Sequence, residues 1–510
     1  MKLRNIERVN NFSLKILNHF GIEATIFANP EVYLEQSAVD ELISLMKLAS
    51  TVEKIQADKN DFFENDNPAI IKIAVCPDFH KGAGIPIGTI LATKGFFVPQ
   101  AIGNDVNCGM RLQLTGFDYD TVMAKRNELE AVFRKIFFEG GRNIPMIRSQ
   151  REQLLLNGLF GLIEAVPKTQ RQGLWAHFHD LVNISTLERI HSFGSFDALS
   201  TLGLEDFLGR ENELSRDNQI GSIGGGNHFV ELQVVEDIID NSTAHAWGIC
   251  QRQVVVMIHA GSVMLGHHAG NVIRSELKKV FPPGLEHPDN GIFPMSFTGA
   301  NAVSARKIMS AIYNAANFAF ANRLFLSLMA YEGMRRVCGE AQYKLLYDSP
   351  HNMVWKEKVG SHDVFVHRKG ATPARDTEAM NGTPFAFYGE PVLVPGSMGS
   401  SSFILRGLGC VDSMSSASHG AGRKLSCGQA LRISEKEFQK FLSEFWAVTP
   451  VNLNDPSIAF RKDIVKAKLL ELKKEAPFAY KGIGPVIMTL NEAGIAASVA
   501  KVRPIMTIKA

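Results

Sequence analysis

The sequence predicts an α+β protein, and two observations support this prediction. Three apolar, β-branched runs that lead into Gly, Asn, Asp or His are typical of buried strands: residues 69–75, 254–258 and 391–394. Three long stretches have the pattern and composition of helices: residues 119–138, 302–334 and 435–446. Because strands and helices are mixed along the chain without strict alternation, an α+β arrangement is favoured over a doubly wound sheet.

The clearest helical periodicity lies in residues 302–334. Apolar residues recur there at intervals of four, which places them on one face of a helix and predicts that this face is buried: Ile308, Ile312, Ala316 and Phe320. Residues 119–218 are also rich in helix formers but carry few of the motifs described below. Two interpretations stay open for them: a helical insertion within a single catalytic domain that spans residues 1–510, or helices packed at the periphery of that domain.

The overall composition is that of an ordinary globular protein, with 45% hydrophobic and 21% charged residues among 510. The formal net charge is only +2, so any nucleic-acid partner must bind through a local basic patch. Six cysteines are scattered without a Cys-x-x-Cys pair, which is typical of a reducing compartment. The N-terminus has no uninterrupted apolar core of a signal peptide, and no apolar run reaches the roughly 18 residues of a membrane helix. These features predict a soluble, cytoplasmic protein without a membrane partner.

Five short segments place residues that bind metals or phosphates beside glycine or other small residues. In the first, Asp105 and Cys108 stand three apart, so a helical turn would bring carboxylate and thiolate to one side. A turn aspartate beside a buried cysteine is the alternative. In the second, three glycines precede Asn227 and His228. Glycine lets the backbone approach a phosphate closely, and Asn227 can donate a hydrogen bond to it.

The other three segments each contribute one histidine. His259 closes an apolar strand, where a satisfied core histidine is the alternative, and His351 lies in a loop, where exposure to solvent is the alternative. His419 stands between small residues that leave its imidazole sterically open; here the alternative is an exposed, flexible loop. The combined set of one Asp, one Cys and four His suits a transition metal better than Mg²⁺ or Ca²⁺. Because the closely paired ligands of structural zinc sites are absent, ligands contributed singly from distant loops predict a catalytic centre.

From residue 76 the sequence reads Cys-Pro-Asp-Phe-His-Lys-Gly-Ala-Gly-Ile-Pro-Ile-Gly, which resembles the N-terminal signature of the RtcB family of RNA ligases. Later motifs occur in the order of that family: Asp-x-x-Cys, Gly-Asn-His-Phe-x-Glu, Ile-His-x-Gly-Ser, His-Asn, Pro-Gly-Ser-Met-Gly and His-Gly-Ala-Gly-Arg. The similarity runs from about residue 71 to the end of the sequence. It implies the RtcB-type α+β fold, in which mixed β-sheets and helices surround a metal-lined central cleft.

The resemblance implies a ligand set for two Mn²⁺ ions. Cys108 would be the thiolate shared by both ions. Asp105 and His228 would complete one site, and His259 and His351 would complete the other.

The resemblance also implies a binding site for GTP. His419 is similar to the histidine that becomes guanylylated in the family. Asn227 would contact the GTP phosphates, and Glu231 would recognise guanine. The remaining residues that the resemblance places in the nucleotide site are Ser397, Ser402, Ala421, Gly422 and Lys509.

The activity that the resemblance implies is GTP- and Mn²⁺-dependent RNA ligation. A 2′,3′-cyclic phosphate would be opened to a 3′-phosphate, which would receive GMP from His419 to give an RNA-3′-pp-5′-G intermediate. The 5′-hydroxyl of a second RNA end would then displace GMP. Broken tRNA or rRNA ends are the implied partners, and an archease-like protein is a candidate activator.

The sequence departs from the family at three positions. Val263, Pro373 and Cys427 stand where the family usually has arginine. Three positive charges for RNA phosphates are therefore missing while the implied metal ligands are kept, which predicts a divergent paralogue. Two other functions stay open: a metal-dependent cyclic phosphodiesterase that does not seal, and a non-enzymatic RNA-end sensor. The retained His419 and Glu231 favour the ligase over the first, and the retained metal ligands favour an enzyme over the second.

Overall fold

The computed structural model describes residues 3–58, 61–63, 67–211, 215–216, 219–453 and 455–510. It confirms the mixed α+β architecture that the sequence predicts. The strands of the described chain are β1 (Ile6–Arg8), β2 (Ser13–Ile16), β3 (Ala24–Phe27), β4 (Ala69–His80), β5 (Ile87–Lys94), β6 (Gly109–Asp118), β7 (Pro145–Met146), β8 (Ser215–Arg216), β9 (Phe229–Ile238), β10 (Gln253–Ala260), β11 (Tyr343–Pro350), β12 (Asn352–Val359), β13 (His362–Lys369), β14 (Ala371–Pro373), β15 (Pro391–Val394), β16 (Ser402–Gly407), β17 (Ser416–Ser418), β18 (Ala447–Val448) and β19 (Ala496–Ile508).

Helices lie between the strands and vary widely in length. The α-helices are α1 (Gln36–Met46), α2 (Leu48–Ala57), α3 (Tyr119–Ala124), α4 (Arg126–Phe137), α5 (Arg148–Ala165), α6 (Trp175–Leu181), α7 (Ile184–Leu187), α8 (Glu205–Leu208), α9 (Asn241–Trp247), α10 (Met264–Val280), α11 (Ala302–Cys338), α12 (Cys427–Ala430), α13 (Glu435–Glu444), α14 (Pro456–Ala459), α15 (Lys462–Lys474) and α16 (Ile483–Glu492). Short 3-10 helices are formed by Asp61–Phe63, Pro99–Ile102, His191–Gly194, Gly299–Asn301 and Pro477–Ala479.

Two large sheets, mainly antiparallel, organise the fold. The first sheet has the strand order β1-β2-β3-β4-β5-β13-β12, and β3 pairs with β4 in parallel. The second sheet has the order β11-β6-β10-β9-β19-β16-β15, with β18 paired in parallel beside β19. A two-stranded ribbon of β14 and β17 contacts β4 and β5 of the first sheet and β11 of the second. The ribbon therefore lies where the two sheets approach each other.

The three predicted strands are all present. The strand predicted at residues 391–394 has the observed bounds of β15, and the one predicted at 254–258 is extended by a residue or two at each end in β10. The first prediction is too short, because β4 continues from residue 75 to His80. Pro77 and Asp78 near its end are buried although neither residue is typical of a buried strand. The sequence pattern therefore predicted an end that is too early.

The three predicted helices are also present, with corrected bounds. The stretch 119–138 is two helices, because the chain leaves helical geometry at Lys125 between α3 and α4. Helix α11 extends beyond the predicted residue 334 to Cys338 and ends at Gly339, whose φ of 93° favours glycine. Helix α13 ends at Glu444 rather than at residue 446. The predicted apolar face of α11 is buried, and burial extends over most of the helix.

The segment 119–218 contains α3 to α8. Helices α4 and α5 pack against α11 and share its hydrophobic core. Residues 212–214 and 217–218 of this segment lie outside the described residues. The helical insertion and the single catalytic domain therefore stay proposals about domain organisation. Among the helices of the described residues, none combines the length and the apolar composition needed to cross a membrane.

Candidate active site and metal centre

The predicted metal ligands lie at one end of the second sheet. Cys108 directly precedes β6, and His228 directly precedes β9. His259 lies near the end of β10, and His351 directly follows β11. In an antiparallel sheet the start of one strand lies beside the end of its neighbour. The order β11-β6-β10-β9 therefore brings all four side chains to the same edge.

The register of the strands shows this convergence directly. Gly109, the first residue of β6, pairs with Ala260 at the end of β10 and with Pro350 at the end of β11. His259 pairs in turn with Phe229, the first residue of β9. His351 is 2% exposed, so the solvent-facing alternative for this loop histidine is wrong.

The opposite wall of the site comes from the first sheet and the ribbon. Asp78 lies near the end of β4, and His419 directly follows β17. Gly422, with a φ of 76°, packs so closely against β4 that a Cβ there would lie 2.2 Å from the carbonyl oxygen of Asp78. Together the two walls enclose a cavity of about 340 Å³.

Two overlapping groups of side chains have the composition of metal sites. Asp105, Cys108 and His228 form one group, and Cys108, His259 and His351 form the other. The ligand atoms within each group lie within 4.8 Å of one another. Cys108 Sγ is 3.1 Å from His228 Nε2 and 3.2 Å from His259 Nε2. Cys108 therefore occupies the position shared by both groups.

The imidazole rings of His228 and His259 are held in an orientation that suits a metal. Nδ1 of His228 is 3.1 Å from the carbonyl oxygen of Ile223, and Nδ1 of His259 is 3.2 Å from that of Asn227. Because a carbonyl oxygen only accepts, each Nδ1 carries the proton and each Nε2 presents its lone pair to the cluster. Burial lowers the pKa of both His259 and His351 well below 6.5. Both imidazoles are therefore neutral, as metal ligands must be.

The arrangement of these acceptors fits a bound cation. Nε2 of His259 and Nε2 of His351 are 3.3 Å apart, so the two ring nitrogens converge on one point beside Cys108. Burial raises the pKa of the Cys108 thiol well above its usual value of 9.0. A divalent cation would bind both ring nitrogens and stabilise the thiolate, and the donor set is therefore complementary to a metal.

Asp105 is positioned by the turn before β6 and by the loop after β10. The predicted helical turn is instead a hydrogen-bonded turn in which Cys108 N donates to Asp105 O at 3.1 Å, and Asn107 has a φ of 56°. The backbone N–H of Ser262 donates to Asp105 Oδ1 at 3.0 Å. A Cβ on Gly261 would lie 2.3 Å from both carboxylate oxygens, so this close approach requires glycine.

A buried ion cluster holds the backbone behind the metal ligands. Arg323 of α11 is fully buried, and its Nη1 donates to the carbonyl oxygens of Asn107 at 2.7 Å and Ala260 at 3.0 Å. Asn107 directly precedes Cys108, and Ala260 directly follows His259. Asp348 balances the charge, since its carboxylate lies 2.9 Å from Arg323 Nε and 3.1 Å from Arg111 Nη1. The long helix α11 therefore supports both metal groups from inside the core.

His419 is oriented by Asp78, a residue to which the sequence alone assigned no role. Its Nδ1 is 2.6 Å from Oδ2 of Asp78, and both residues are buried. The carboxylate accepts the Nδ1–H, so Nε2 keeps the lone pair of a nucleophile. The ring centroid of His419 lies 4.6 Å from that of His351. At 8% exposure, His419 is not in an exposed, flexible loop.

Glu231 lies in β9 on another part of the cavity wall. Its carboxylate accepts hydrogen bonds from Gln233 Nε2 at 2.6 Å and from Thr507 Oγ1. Burial raises the pKa of Glu231 from 4.5 to about 7. Lys509 lines the same cavity and donates to the carbonyl oxygen of His228 at 3.0 Å, and burial lowers its pKa to about 8. Both groups therefore titrate close to neutral pH.

Ser397 lines the cavity, but Ser402 lies behind its surface. Ser402 is buried, and its Oγ accepts from Gln233 Nε2 and from Gly396 N, each at 3.1 Å. Because Gln233 also donates to Glu231, Ser402 is linked to that carboxylate through Gln233. Ser402 therefore supports the part of the cavity wall that Glu231 forms.

The remaining predicted nucleotide-binding residues, Asn227, Ala421 and Gly422, all line the cavity. Two lining residues that sequence reasoning missed are Glu475 and Tyr480. Both contact Arg423: its Nη1 lies 3.0 and 3.1 Å from the two carboxylate oxygens of Glu475, and its guanidinium stands 5.0 Å from the centre of the Tyr480 ring. Each is an ordinary surface residue by its local sequence, so only the tertiary contact reveals it.

The three positions at which the resemblance implies an arginine lie elsewhere. Val263 precedes α10 with a φ of 49°, Pro373 is buried in β14, and Cys427 is exposed at the start of α12. As the described residues are arranged, none of the three lines the cavity.

Comparison with known proteins agrees with this geometry. The chain matches the family model of the tRNA-splicing ligase RtcB over residues 65–510. A tRNA-splicing ligase RtcB of Thermococcus kodakarensis is 31% identical over 92% of this chain and 93% of its own length. Proteins of the same description from Nanoarchaeum equitans and Pyrobaculum aerophilum are each 32% identical, over 92% and 85% of this chain and 94% and 87% of their own lengths. The chain therefore belongs to the RtcB family.

Proposed function

We propose that this protein is a GTP- and Mn²⁺-dependent RNA ligase that joins 2′,3′-cyclic phosphate or 3′-phosphate ends to 5′-hydroxyl ends. One observation carries the proposal: His419, oriented by Asp78, stands beside a metal-binding cluster in the cavity that also holds Glu231. Membership of the RtcB family supports the same class of reaction. The test is to follow α-labelled GTP from the protein to RNA and on to a sealed product, which separates ligation from cyclic-phosphate hydrolysis and from binding alone.

The donor set supports two Mn²⁺ ions that share Cys108. Asp105 and His228 would complete the shell of one ion, and His259 and His351 that of the other. A thiolate and three imidazoles are softer ligands than the oxygen shells that Mg²⁺ and Ca²⁺ prefer. When bound, the two cations would stabilise the negative charge that develops on attacking and leaving phosphate oxygens.

His419 is the nucleophile of the first transfer. Its Nε2 attacks the α-phosphorus of GTP, an N–P bond forms, and the bond to the β-phosphate breaks to release pyrophosphate. Asp78 keeps the proton on Nδ1 and balances the positive charge that the phosphorylated ring acquires. Asn227 lies beside the metal groups and is placed to donate to the phosphates, while Ala421 and Gly422 offer backbone groups close to them.

The later steps transfer GMP to RNA and then release it. Water opens a 2′,3′-cyclic phosphate to a 3′-phosphate. An oxygen of that 3′-phosphate attacks the GMP phosphorus, the N–P bond to His419 breaks, and RNA-3′-pp-5′-G forms. The 5′-hydroxyl oxygen of the second RNA then attacks the phosphorus of the 3′-phosphate, GMP leaves, and the hydroxyl proton passes to solvent. Broken tRNA or rRNA ends are the proposed substrates, and an archease-like protein is a proposed activator.

Glu231 is the proposed reader of guanine. Two protein donors, Gln233 and Thr507, fix the plane of its carboxylate and leave further lone pairs for the N1–H and 2-amino groups of the base. Adenine lacks this pair of donors, so binding ATP would leave the remaining lone pairs of the buried carboxylate without hydrogen bonds. Ser397 and Lys509 line the same cavity and complete the proposed nucleotide site.

Replacing Glu231 by glutamine is expected to narrow the preference for GTP over ATP. Leaving a buried polar group without its hydrogen bonds costs on the order of 2–3 kcal/mol, or roughly 30- to 150-fold in selectivity. The measurement is the ratio of guanylylation to adenylylation rates in the two proteins. Glu236→Gln is the matched control, because Glu236 lies on the same strand and does not line the cavity. An unchanged ratio in Glu231→Gln would assign the recognition of the base to another group.

The same residue predicts the direction of a pH effect on GTP binding. With a pKa of about 7, Glu231 is a carboxylate above neutral pH and a carboxylic acid below it, and the charge of Lys509 lowers this pKa against the effect of burial. Only the carboxylate accepts both guanine donors, so affinity for GTP should fall as pH drops through 7, by up to about tenfold per unit. A fluorescent GTP analogue bound to the His419→Ala protein reports this without covalent transfer. The His419→Ala/Glu231→Gln protein should lack this component of the pH dependence.

We also propose a narrow RNA substrate, because Val263, Pro373 and Cys427 replace arginines. Each lost phosphate contact should weaken binding and flatten the log–log salt dependence by about one unit. Strong self-guanylylation with weak sealing of generic RNA ends is the expected result. Val263→Arg/Cys427→Arg should raise the rate of sealing, because it adds two positive charges that can contact RNA phosphates. Neither position is buried, so both can hold the longer side chain. Pro373 is left unchanged because it is buried in β14.

The comparison for this double variant is Val263→Leu/Cys427→Leu, which alters side-chain size at both positions without adding charge. If the arginines act through RNA phosphates, only the arginine pair should steepen the salt dependence of sealing. Efficient sealing of simple oligonucleotides by the unmodified protein at physiological salt would show that its substrate is not restricted.

A further inference from the structure

A second cavity, of about 580 Å³, adjoins the catalytic one. Ile87, Asp105 and Asn352 line both cavities. Asp105 is also a member of the first metal group, so the metal centre is open to the second cavity as well as to the first. A ligand in the second cavity can therefore reach the metal centre without entering the pocket that contains Glu231.

One face of α10 forms a wall of this cavity. Gly270, Arg274 and Lys278 recur every four residues, and Ile273 and Leu277 recur beside them. Arg274 and Lys278 are exposed. The wall thus carries two positive charges along one edge and an apolar stripe along the other.

In the part of the chain that the structure describes, the positive charges of Arg274 and Lys278 have no local carboxylate partner, whereas that of Lys369 interacts with the carboxylate of Glu41. Arg274 donates to the side-chain oxygen of Asn271 at 2.5 Å, and no carboxylate among the described residues pairs with Arg274 or Lys278. Lys369 lines the cavity as a third cation, and its Nζ donates to the carbonyl oxygen of Ile85 at 2.5 Å. Asp105 is the single acidic residue of the lining. The cavity is therefore complementary to a polyanion.

Small and apolar residues leave room beside these charges. A Cβ on Gly270 would lie 3.4 Å from Arg274 Nη1 and 3.8 Å from Asn104 Oδ1, so glycine keeps open the space between the two polar groups. Phe293 and Pro99 add apolar surface to the lining. A phosphate beside a flat apolar group is the chemistry of a nucleotide.

From these observations we propose that the second cavity holds the RNA strand whose end enters the metal centre. Arg274 and Lys278 contact successive phosphodiester groups, and Ile273, Leu277 and Phe293 contact a base. This assignment rests on the proposed function and deepens it, because it gives the RNA a path separate from that of GTP. It also places positive charge on α10 itself, the helix whose N-cap position, Val263, lacks the family arginine.

The test is equilibrium binding of a short, fluorescein-labelled single-stranded RNA across a range of salt concentrations, without GTP. Each phosphate contact to a single strand contributes about 0.7 to the log–log slope, so Arg274→Ala/Lys278→Ala should reduce it by about 1.4. If the two proteins bind equally near 1 M salt, the variant binds about 25-fold more weakly at 0.1 M.

Arg306→Ala/Lys307→Ala is the matched control. It removes the same two residue types from the adjacent helix α11, and neither residue lines the second cavity. This control should bind RNA with the affinity and salt dependence of the unmodified protein. Gly270→Leu is a second, steric variant that keeps both charges while filling the cavity. It should weaken RNA binding and leave the slope unchanged.

Three results would overturn the assignment. The first is unchanged RNA binding in both Arg274→Ala/Lys278→Ala and Gly270→Leu, and the second is an equal loss in the control pair. The third is loss of self-guanylylation in Arg274→Ala/Lys278→Ala with RNA binding intact, which would assign the cavity to the phosphates of GTP. Absence of guanylylation in the unmodified protein would instead contradict the proposed function, and RNA binding by the same preparation is read independently of it.

Discussion

Replacement of His419 by alanine is expected to abolish covalent labelling of the protein by α-labelled GTP and Mn²⁺. The imidazole would supply the atom that forms the N–P bond, and the carboxylate of Asp78 orients it. His80 lines the same cavity, but its Nδ1 contacts the backbone carbonyl oxygen of Asp78 at 2.7 Å rather than the carboxylate. The expected loss of rate is at least about 1000-fold, equivalent to about 4 kcal/mol in the barrier. The adduct of the unmodified protein should be labile to acid and stable to alkali, as a phosphoramidate is.

His362→Ala is the control for this experiment, because His362 is an exposed histidine at the start of β13 and does not line the cavity. It should label like the unmodified protein. Label that persists at the normal level in His419→Ala would place the covalent step on a different residue. Peptide mapping of the labelled protein would then identify that residue.

Replacement of Cys108 by alanine is expected to remove both metal ions. Its Sγ belongs to both groups of ligands, whereas His351 belongs to one, so His351→Ala should lose one ion and retain the other. Changes to residues that only support metal ligands cost about 10- to 100-fold in affinity, and loss of a shared ligand should cost at least about 100-fold. Elemental analysis after dialysis against a fixed concentration of Mn²⁺ measures the difference.

Cys250→Ala is the control for metal content, because Cys250 is exposed and lies outside both groups. It should retain the full complement of metal. Full manganese occupancy in Cys108→Ala would rule out a bridging thiolate. The same preparations test the identity of the ion: Mg²⁺ should support guanylylation poorly, since a thiolate and imidazoles are weak partners for that hard cation.

The sequence predicted the class of the fold and most of its principal elements because these depend on local patterns. Apolar runs predicted β10 and β15 closely, and a period of four predicted the buried face of α11. The break at Lys125 and the final residues of β4 were not predicted. The end of β4 depends on tertiary packing, since its residues up to Phe79 are buried although they include polar ones, and β4 contacts the ribbon strand β17 and helix α16.

The candidate site was predictable in its donor atoms and not in its supporting contacts. The proposed metal ligands stand beside small residues at strand ends, and that local signal is readable in the sequence. The hydrogen bond between Asp78 and His419 joins residues 341 apart in the chain, and no local pattern records such a partner. Ser402 is a different case, because the resemblance implied a place in the nucleotide pocket and the structure adds that its hydroxyl accepts a hydrogen bond from Gln233. Similarly, nothing near Arg274 indicates a cavity shared with Asp105.

Arg323 donates hydrogen bonds to the carbonyl oxygens of Asn107 and Ala260, and these bonds affect how this enzyme tolerates mutation. Removing one partner of a buried ion pair destabilises a protein by about 3–5 kcal/mol, and here the displaced backbone carries metal ligands. Substitutions in the buried part of α11 should therefore reduce metal binding, even where the chain still folds. A saturation library selected for ligation should show the same intolerance at Arg323 and Asp348 as at the proposed ligands, so that positions essential for activity extend into the core on both α11 and β11.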